Sequence, residues 1–390
     1  MKDVAVVSYC RTGIAKAQRG ALNQTHGIPM AAHVMTKAVE RAKIDAQEIE
    51  DVILGCGLPE GATGHNIARN AALSAFGIGV PGATINRYCG SGITAASNIA
   101  ARIAGGEISC GIAGGVESIS LVQFHLNFNG FFYAPLQQVM PAVWWTMNQT
   151  ADFVAQKYGF TREELDAYVV KSQARVAEAN AAGKYAEEIV PFATRMEVVD
   201  KATGAKSLQD VVLDKDEGPR PGTTLEGLAK LKPVFDGGTT TAGNASQLSD
   251  GAAALVMMDA DIAAKRGLPI LGLFRGMHLG AVAPEEMSIA ITPAIRKLMQ
   301  KQNLKPADID LWELHEAYAV TTLYNQRELQ TPWETTNVNG GAIALGHPYG
   351  MSGIRYVGST MLELGRRRAR KAVVGVCTAG GMATAAYLER

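Results

Sequence analysis

The chain has 390 residues, of which 47% are apolar, and its 37 basic residues balance 37 acidic ones. This length and apolar content allow two or three domains with large cores, while the balanced charge excludes the strong basic field on which nucleic-acid-binding proteins depend. No apolar run approaches the roughly 20 residues of a membrane-spanning helix, so we expect no integral membrane association.

Cysteine usage and the N-terminus bear on the compartment. The five cysteines form no C-x-x-C pair, which is typical of a cytoplasmic protein and indicates neither a disulfide framework nor a zinc site. The first residues run directly into a predicted strand, so we expect no signal or transit segment.

Short apolar runs alternate with Ala-rich helical patterns, and this alternation predicts an α/β fold with mainly parallel strands. In chain order we predict strands at 4–8, 52–55, 83–86 and 108–113, with helices at about 29–42, 66–76 and 92–104. Further along, we predict a charged surface helix at about 162–182, loops with a short hairpin over 201–238, and a strand at 252–258.

The second half of the chain repeats the first. Residues 44–52 resemble 304–312 at an offset of 260, and Ala-Gly-Gly at 113–115 matches Ala-Gly-Gly at 379–381 at an offset of 266. Each half also has a Gly-rich turn that opens a helix, beginning at Cys89 in the first half and at His347 in the second. A tandem duplication accounts for these matches. Two similar halves packed about a pseudo-twofold axis would bring Cys89 and His347 together.

Cys89 lies where a short strand meets a glycine-flanked turn and a helix. Unpaired N–H groups and the helix dipole stabilise a thiolate there, so we predict a nucleophile with a pKa below the usual value of about 8.5. The alternative is a small buried structural cysteine. Gly90 and Gly92 favour the nucleophile because they leave space for a substrate to approach the sulfur.

Three more candidates come at the ends of predicted strands or Gly-rich loops, namely His315, His347 and Cys377. Ligands of parallel α/β sheets bind at the carboxyl ends of the strands. Zinc binding by the two cysteines and two histidines is an alternative, but no short-range ligand pair supports it. Two thiols and two imidazoles at equivalent points of a duplicated fold favour nucleophilic and acid–base catalysis.

The segment 118–151 contains no Asp, Glu, Lys or Arg but carries seven aromatic residues: Phe124, Phe128, Phe131, Phe132, Tyr133, Trp144 and Trp145. It could line a hydrophobic ligand pocket, form a subunit interface or contact a membrane surface. We favour the first two, because the segment lacks the Lys and Arg that accompany interfacial helices.

The chain resembles the thiolases, which interconvert 3-ketoacyl-CoA plus CoA with acyl-CoA plus acetyl-CoA. The matching motifs are Cys-Gly-Ser-Gly from Cys89, Gly-Gly-Ala-Ile-Ala-Leu-Gly-His-Pro ending at Pro348, Ala-Gly-Asn-Ala-Ser ending at Ser246 with Asp-Gly-Ala-Ala from Asp250, and Arg-Pro-Gly-Thr-Thr-Leu-Glu from Arg220. The resemblance extends over essentially the whole chain.

This resemblance implies the thiolase fold, a duplicated five-layered αβαβα arrangement with an inserted loop domain. Residues 1–118, continued by 247–265, would form the N-terminal half, 119–246 the loop domain that covers CoA and the acyl pocket, and 266–390 the C-terminal half. It also implies a homodimer or homotetramer that acts on acyl-CoA and CoA, with CoA as a substrate, no permanently bound cofactor and no metal.

The resemblance further implies a role for each site residue. Cys89 would attack the 3-keto carbon after His347 takes its proton, and Cys377 would protonate the acetyl-CoA enolate. His347 with His315 would form one anion site, and the backbone N–H groups of Cys89 and Ala379 a second. Positions that contact CoA in the family are matched by Arg220 and Ser246, while Met147, Ala317 and Tyr318 would line the pantetheine channel.

Three departures from the family pattern concern His315, Ala379 and the segment 118–151. Many thiolases have Asn in place of His315, although the His form occurs in some long-chain degradative members. Ala379 replaces a usual glycine and adds a methyl group to the site. The uncharged aromatic segment indicates a bulkier or more apolar acyl group than acetoacetyl.

Other functions remain open from the sequence. A short-chain biosynthetic acetoacetyl-CoA thiolase is the first alternative. A ketoacyl synthase would use a Cys-His-His set on the same fold, but it has no need for a second thiol such as Cys377. An inactive acyl-CoA binder is the third alternative, and the intact set of Cys89, His347 and Cys377 argues against it.

Overall fold

The computed structural model describes residues 2–390. Its strands are β1 Val4–Arg11, β2 Ala15–Lys16, β3 Val52–Gly55, β4 Gly82–Ile85, β5 Cys110–Glu117, β6 Phe192–Val199, β7 Lys206–Leu213, β8 Ser249–Asp259, β9 Gly272–Ala281, β10 Leu311–Leu314, β11 Lys371–Thr378 and β12 Met382–Glu389. Its α-helices are α1 Gly27–Ala42, α2 Ile67–Phe76, α3 Ser91–Gly105, α4 Ile119–Val122, α5 Ala134–Val139, α6 Met147–Tyr158, α7 Arg162–Ala181, α8 Leu225–Ala229, α9 Ala260–Lys265, α10 Ile291–Lys301, α11 Ala319–Leu329, α12 Ala342–Leu345 and α13 Tyr349–Arg367. Short 3₁₀ helices lie at Ala46–Glu48, Gly61–Thr63, Gln123–His125, Pro141–Trp144, Pro284–Ile289, Pro306–Asp308 and Trp333–Thr335.

The main sheet consists of two halves with the same strand order. One half runs β1-β8-β5-β3-β4 and the other runs β9-β12-β11-β10. The pair β3 and β5 is parallel, as are β3 with β4 and β10 with β11, while β8 and β12 are antiparallel to their neighbours on both sides. The prediction of mainly parallel strands is therefore wrong, because antiparallel strand pairs predominate. The halves join where β1 pairs with β9, through Ala5 with Leu273 and Val6 with Gly272. The predicted duplication is therefore visible in the strand order itself.

The repeat at an offset of 260 is confirmed by local structure, because both copies form a 3₁₀ turn that leads into a parallel strand, β3 or β10. The match of Ala-Gly-Gly at an offset of 266 is wrong. Ile53 in β3 corresponds to Glu313 in β10 at the offset of 260. Ile53 pairs with Ala113 and Glu313 pairs with Val374, so the counterpart of Ala113 is Val374 and not Ala379. The two Gly pairs serve different needs: a side chain on Gly115 would collide with the backbone of Gly350, while Gly380 forms a turn with a φ of +77°.

Helices form three layers around the two halves of the sheet. The first pair, α1 and α2, packs on the strands of the N-terminal half, and α10 and α11 pack on those of the C-terminal half. Between the halves, α3 and α13 contact each other and strands of both. The result is the five-layered αβαβα arrangement.

The N-terminal ends of α3 and α13 approach each other closely. A side chain on Gly92 would come within 2.7 Å of Ile354 N, and one on Gly353 would come within 2.6 Å of Ile93 N. Real Cβ atoms do not tolerate such distances, so glycine at both positions permits the contact. The turns that precede the two helices are thereby brought to the same place.

The chain between β5 and β8 departs from the prediction in one element. The predicted short hairpin within 201–238 is wrong in its bounds, because the hairpin consists of β6 and β7, each eight residues long, and begins at Phe192. Charged side chains such as Arg195 and Glu197 interrupt the apolar pattern of β6. The helix predicted at 162–182 is found as α7, with one face buried. Within residues 2–390, none of the helices is both long enough and apolar enough to cross a membrane.

Candidate active site

Cys89 stands two residues before α3, in a turn at the joined ends of the two central helices. Gly90 is the N-cap of α3. The hydroxyl of Ser91 closes this turn, since it donates to Tyr88 O at 2.6 Å and accepts from Arg87 N at 2.7 Å. The predicted placement of Cys89 at a helix N-terminus is therefore found.

The prediction of a lowered thiol pKa is wrong for the free protein. Burial, followed by the nearby carboxylate of Glu117, raises the pKa of Cys89 to about 12. The backbone N–H groups of Cys89 and Ala379 oppose this shift. At neutral pH Cys89 is thus a thiol that needs a base.

Glu117 is a buried carboxyl that the sequence did not single out. It lies at the end of β5 and accepts the N–H groups of Gly57 at 2.8 Å, Leu58 at 3.0 Å and Gly350 at 2.8 Å. Burial raises its pKa to about 7 although these N–H groups lower it. Glu117 therefore ties the start of α13 to the N-terminal half, close to Cys89.

Cys377 and His315 lie side by side at the ends of the neighbouring strands β11 and β10. The Sγ atom of Cys377 is 3.4 Å from Nδ1 of His315, and the backbone N–H of His315 donates to Gly375 O at 2.8 Å. Burial raises the pKa of Cys377, and the proximity of Cys89 adds to this. Burial, followed by the charge of Arg355, lowers the pKa of His315 to about 3.

His347 completes the group. Its ring centroid lies 4.3 Å from that of His315, and its Nδ1 lies 2.6 Å from the hydroxyl of Ser352. That hydroxyl donates to Pro348 O at 2.9 Å, so it can accept from Nδ1–H and leave Nε2 with its lone pair. Burial lowers the pKa of His347, as do His315 and Arg355. Both Nε2 atoms are buried without a hydrogen-bond partner.

Four of the residues assigned to CoA form a second group beside this site. Met147, at the start of α6, packs with Tyr318 against one apolar cluster. The Tyr318 hydroxyl donates to Asn148 Oδ1 at 2.8 Å, and Ser246 N donates to Ala317 O at 2.9 Å. These contacts hold Met147, Ser246, Ala317 and Tyr318 together.

Arg220 does not belong to that group of four. It is exposed and lines a cavity of about 240 Å³. Gly243 and Gln247, on either side of Ser246 in the sequence, line the same cavity. Arg220 therefore lines the same cavity as residues that flank Ser246.

The aromatic segment is largely exposed. All residues of 127–141 are exposed. Phe128, Phe131 and Phe132 pack on one another, and Phe131 and Phe132 also pack on Trp144. The interpretation as a pocket lining is thus wrong for the three phenylalanines, because no described residue of this chain covers them. Trp145 lies elsewhere and lines a cavity of about 550 Å³ with Phe153, Phe235 and polar residues that include Asp152 and Asp236, so a pocket-lining role stays a prediction for Trp145.

Among residues 2–390, no group of three or more His, Cys, Asp or Glu side chains is placed to hold a metal ion.

Like Glu117, three residues of α13 were not singled out by the sequence analysis, namely Ser352, Arg355 and Tyr356. Ser352 follows the Gly-rich turn that begins at His347, and its spacing of five residues from His347 was the available signal.

Comparisons with known proteins match the whole chain. Residues 4–261 match the family model "Thiolase, N-terminal domain", and residues 268–390 match "Thiolase, C-terminal domain". The peroxisomal 3-ketoacyl-CoA thiolase 5 of Arabidopsis thaliana is 40% identical over 396 residues, which cover 100% of this chain and 85% of that protein. The 3-ketoacyl-CoA thiolase of Bacillus subtilis is 40% identical over 392 residues, which cover 100% of this chain and 100% of that protein.

A solved structure agrees with these sequence matches. The crystal structure of the Bacillus anthracis acetyl-CoA acetyltransferase superposes with a TM-score of 0.89 at 34% identity, covering 100% of this chain and 99% of the other. The similarity includes both halves of the duplicated sheet and the segment between them.

Proposed function

This chain belongs to the thiolase family, and on that premise we propose that it cleaves 3-ketoacyl-CoA with CoA to acyl-CoA and acetyl-CoA, or runs the reverse condensation, through an acyl group on Cys89. The observation that carries the proposal is the grouping of two thiols and two imidazoles where α3 and α13 meet. The chain is accordingly an acyltransferase.

The first step is attack by Cys89 on the 3-keto carbon. The thiol has a raised pKa and His347 a lowered one, so both are neutral at pH 7 and the thiolate forms only as its proton passes to His347 Nε2. The backbone N–H groups of Cys89 and Ala379 would then stabilise the oxyanion of the tetrahedral intermediate. The methyl group of Ala379 leaves this N–H in place.

The second step breaks the carbon–carbon bond and releases the enolate of acetyl-CoA. The Sγ atom of Cys377 lies 3.4 Å from His315 Nδ1, and in this mechanism the thiol donates across that contact, so that the proton of His315 is on Nε2. This Nε2–H and that of protonated His347 would stabilise the enolate oxygen. Cys377 gives its proton to the enolate carbon and becomes a thiolate.

The third step transfers the acyl group to CoA. The CoA thiol gives its proton to the Cys377 thiolate and attacks the acyl carbon, and Cys89 leaves and regains its proton from His347. Cys89, Cys377 and His347 thereby return to their starting protonation states, and the proton of the CoA thiol replaces the one that Cys377 gave to acetyl-CoA. The reaction therefore needs two sulfur atoms, one to hold the acyl group and one to move a proton at carbon.

We infer that Arg220 and Ser246 contact CoA, that Met147, Ala317 and Tyr318 line the pantetheine channel, and that residues 119–246 form the covering domain. The contacts among Met147, Ser246, Ala317 and Tyr318 support this, as does the position of exposed Arg220 beside a cavity. CoA acts as a substrate here.

The acyl group, on this proposal, is bulkier or longer than acetoacetyl. The cavity of about 550 Å³ supports this, because Trp145, Phe153 and Phe235 line it, and its Asp152 lies close enough to act electrostatically on Tyr318. The alternative of an acetoacetyl-CoA thiolase has the name of the Bacillus anthracis protein in its favour.

The experiment compares thiolysis of acetoacetyl-CoA with that of a 3-ketoacyl-CoA of ten or more carbons, roughly, in the purified protein. Turnover of the longer substrate at a higher kcat/KM supports the proposal, and a preference for acetoacetyl-CoA selects the alternative. Condensation that requires malonyl-CoA would identify a ketoacyl synthase, and the absence of any turnover would identify an acyl-CoA binder.

We further propose a homodimer or homotetramer in the cytoplasm. The exposed aromatic segment and the open edge of β4 support association. The five free cysteines support a reducing compartment, whereas several relatives are named peroxisomal. Light scattering of the purified protein tests the oligomer, and imaging of a tagged chain tests the compartment.

A further inference from the structure

Arg355 lies behind the two histidines and is linked to them by a continuous series of side-chain contacts. It is 2% exposed on α13, and its guanidinium carbon is 3.9 Å from the centroid of the Tyr356 ring. The Tyr356 ring lies 5.6 Å from that of His315, which lies 4.3 Å from that of His347. A buried cation is thus connected to both imidazoles through one phenol.

The charge of Arg355 is weakly compensated. Its Nε and Nη2 atoms have no hydrogen-bond partner, and Glu313 Oε1 lies 3.9 Å from Nη2, which is beyond a direct hydrogen bond. The equally buried Arg11, in contrast, bonds directly to Glu188 at 2.8 Å and to Asp216 at 2.6 Å. A buried cation without direct partners is costly to a fold, so Arg355 calls for an explanation.

A small cavity lies between Arg355 and Glu313. Its volume is about 20 Å³, and it is also lined by Trp312 and Thr360. The Nε1 of Trp312 and the hydroxyl of Thr360 are buried without partners. The cavity has the size and the polar lining to hold one ordered water molecule.

We propose that Arg355 is a positioning residue of the reaction: linked to Glu313 through one ordered water, it holds Tyr356 against His315 and keeps both imidazoles uncharged. His347 Nε2 is then free to accept the proton of Cys89, and His315 Nε2–H is free to donate. This inference rests on the proposed function, because it assigns a purpose to Arg355 within that site.

The other groups around the two rings do not supply this charge. They are Cys89, Cys377, Tyr349 and Tyr356, together with Glu313 and Glu316 on the same segment as His315. Tyr168 and Ser172 donate to the carboxylate of Glu316 at 2.7 and 3.0 Å. Burial raises the pKa of Glu313 to about 8, so it offsets little of the positive charge at neutral pH. The positive charge of Arg355 opposes a second positive charge on either ring.

The test compares R355M, which removes the charge at similar length, with R355K, which keeps it. The double variant E313Q/R355M leaves no unpaired buried charge and serves if R355M fails to fold. For each, the rate of Cys89 alkylation by iodoacetamide and kcat/KM for thiolysis are measured from about pH 2 to 9, so that the range includes the acid limb of the parent.

The acid limb of both profiles is expected to move up by about one pH unit in R355M and in E313Q/R355M, and to stay in place in R355K. Coincident acid limbs in all variants would overturn the inference, since a structural role lowers the rate at every pH without moving the limb. If the parent alkylates but does not cleave 3-ketoacyl-CoA, the proposed function fails while alkylation still tests Arg355. In a crystal of the parent, a dry cavity would remove the water link.

Discussion

The Sγ atom of Cys377 lies 3.4 Å from Nδ1 of His315, so the second thiol of the site rests against a neutral imidazole. On the proposed mechanism the thiol donates to Nδ1 across this contact, so the proton of His315 lies on Nε2 and can be donated to the enolate oxygen. A thiol beside a neutral ring stays protonated, as a proton donor to carbon requires.

Replacing His315 tests its role as a hydrogen-bond donor to the enolate oxygen. In H315A the loss of one oxyanion donor is expected to lower kcat about 10²- to 10³-fold, while H315N, whose amide can still donate, recovers most of the rate. Steady-state thiolysis measures both variants. Equal rates in H315A and the parent would show that the enolate oxygen lies elsewhere.

Replacing Cys377 separates acyl transfer from carbon–carbon cleavage. In C377A we expect cleavage of 3-ketoacyl-CoA to fall at least about 100-fold, since the proton donor to carbon is gone. Exchange of labelled CoA into acyl-CoA breaks no carbon–carbon bond, and CoA can leave and return as its own thiolate when Cys377 is absent, so exchange should stay within about tenfold of the parent. C110A, a buried cysteine of the outer core, is the matched control. Loss of both reactions in C377A would contradict these roles.

Removing the charge of Glu117 should activate Cys89. Its carboxylate raises the thiol pKa, so in E117Q the alkaline limb of Cys89 alkylation is expected to move to lower pH. An unchanged limb would show that burial alone sets the thiol pKa.

The same variant tests stability against pH. The pKa of Glu117 rises from 4.5 to about 7 on folding, so the folded state holds the proton more tightly. Its contribution is therefore full below pH 4.5 and is lost as the pH rises to about 7, about 3 kcal/mol in all. Urea unfolding at pH 5 and pH 8 should show this loss in the parent and a smaller one in E117Q. Equal losses would contradict the assignment.

Ser352 should determine which ring nitrogen of His347 carries the proton. In S352A the bond at Nδ1 is lost, and kcat/KM is expected to fall about tenfold, as for one hydrogen bond of about 1.4 kcal/mol. S359A is the control, because Ser359 is on the same helix but bonds to Glu188. The prediction fails if both variants lose the same activity.

Arg220 should act on CoA and leave the chemistry alone. In R220A the KM for CoA is expected to rise about fivefold, near 1 kcal/mol for an exposed charge, with kcat unchanged. R195A, on the exposed hairpin, should match the parent. A fall in kcat for R220A would place it nearer the reacting atoms.

The sequence was sufficient where contact follows from strand order. Leu314 pairs with Gly375 in neighbouring parallel strands, so His315 and Cys377 had to be neighbours once both were recognised at strand ends. The family and the fold could also be predicted, because the motifs that carry the resemblance are continuous stretches of sequence. The roles of the site residues stay predictions until the variants above are measured.

The features that could not be predicted from the sequence depend on burial by residues that are distant in the chain. The pKa of Cys89 is set by burial and by Glu117, which comes from another strand. An arginine such as Arg355 normally lies on the surface of a helix, so nothing in its local pattern indicated burial. The alternation of β6 was hidden by Arg195 and Glu197.

Gly92 and Gly353 touch each other across the joint between the two central helices, one from each copy of the duplicated unit. Neither copy can accept even a methyl group there unless the other withdraws, so the copies could diverge elsewhere but had to change together at this point. On the proposed mechanism the N-terminal half supplies Cys89, which carries the acyl group, and the C-terminal half supplies His315, His347 and Cys377, so neither half would catalyse the reaction alone.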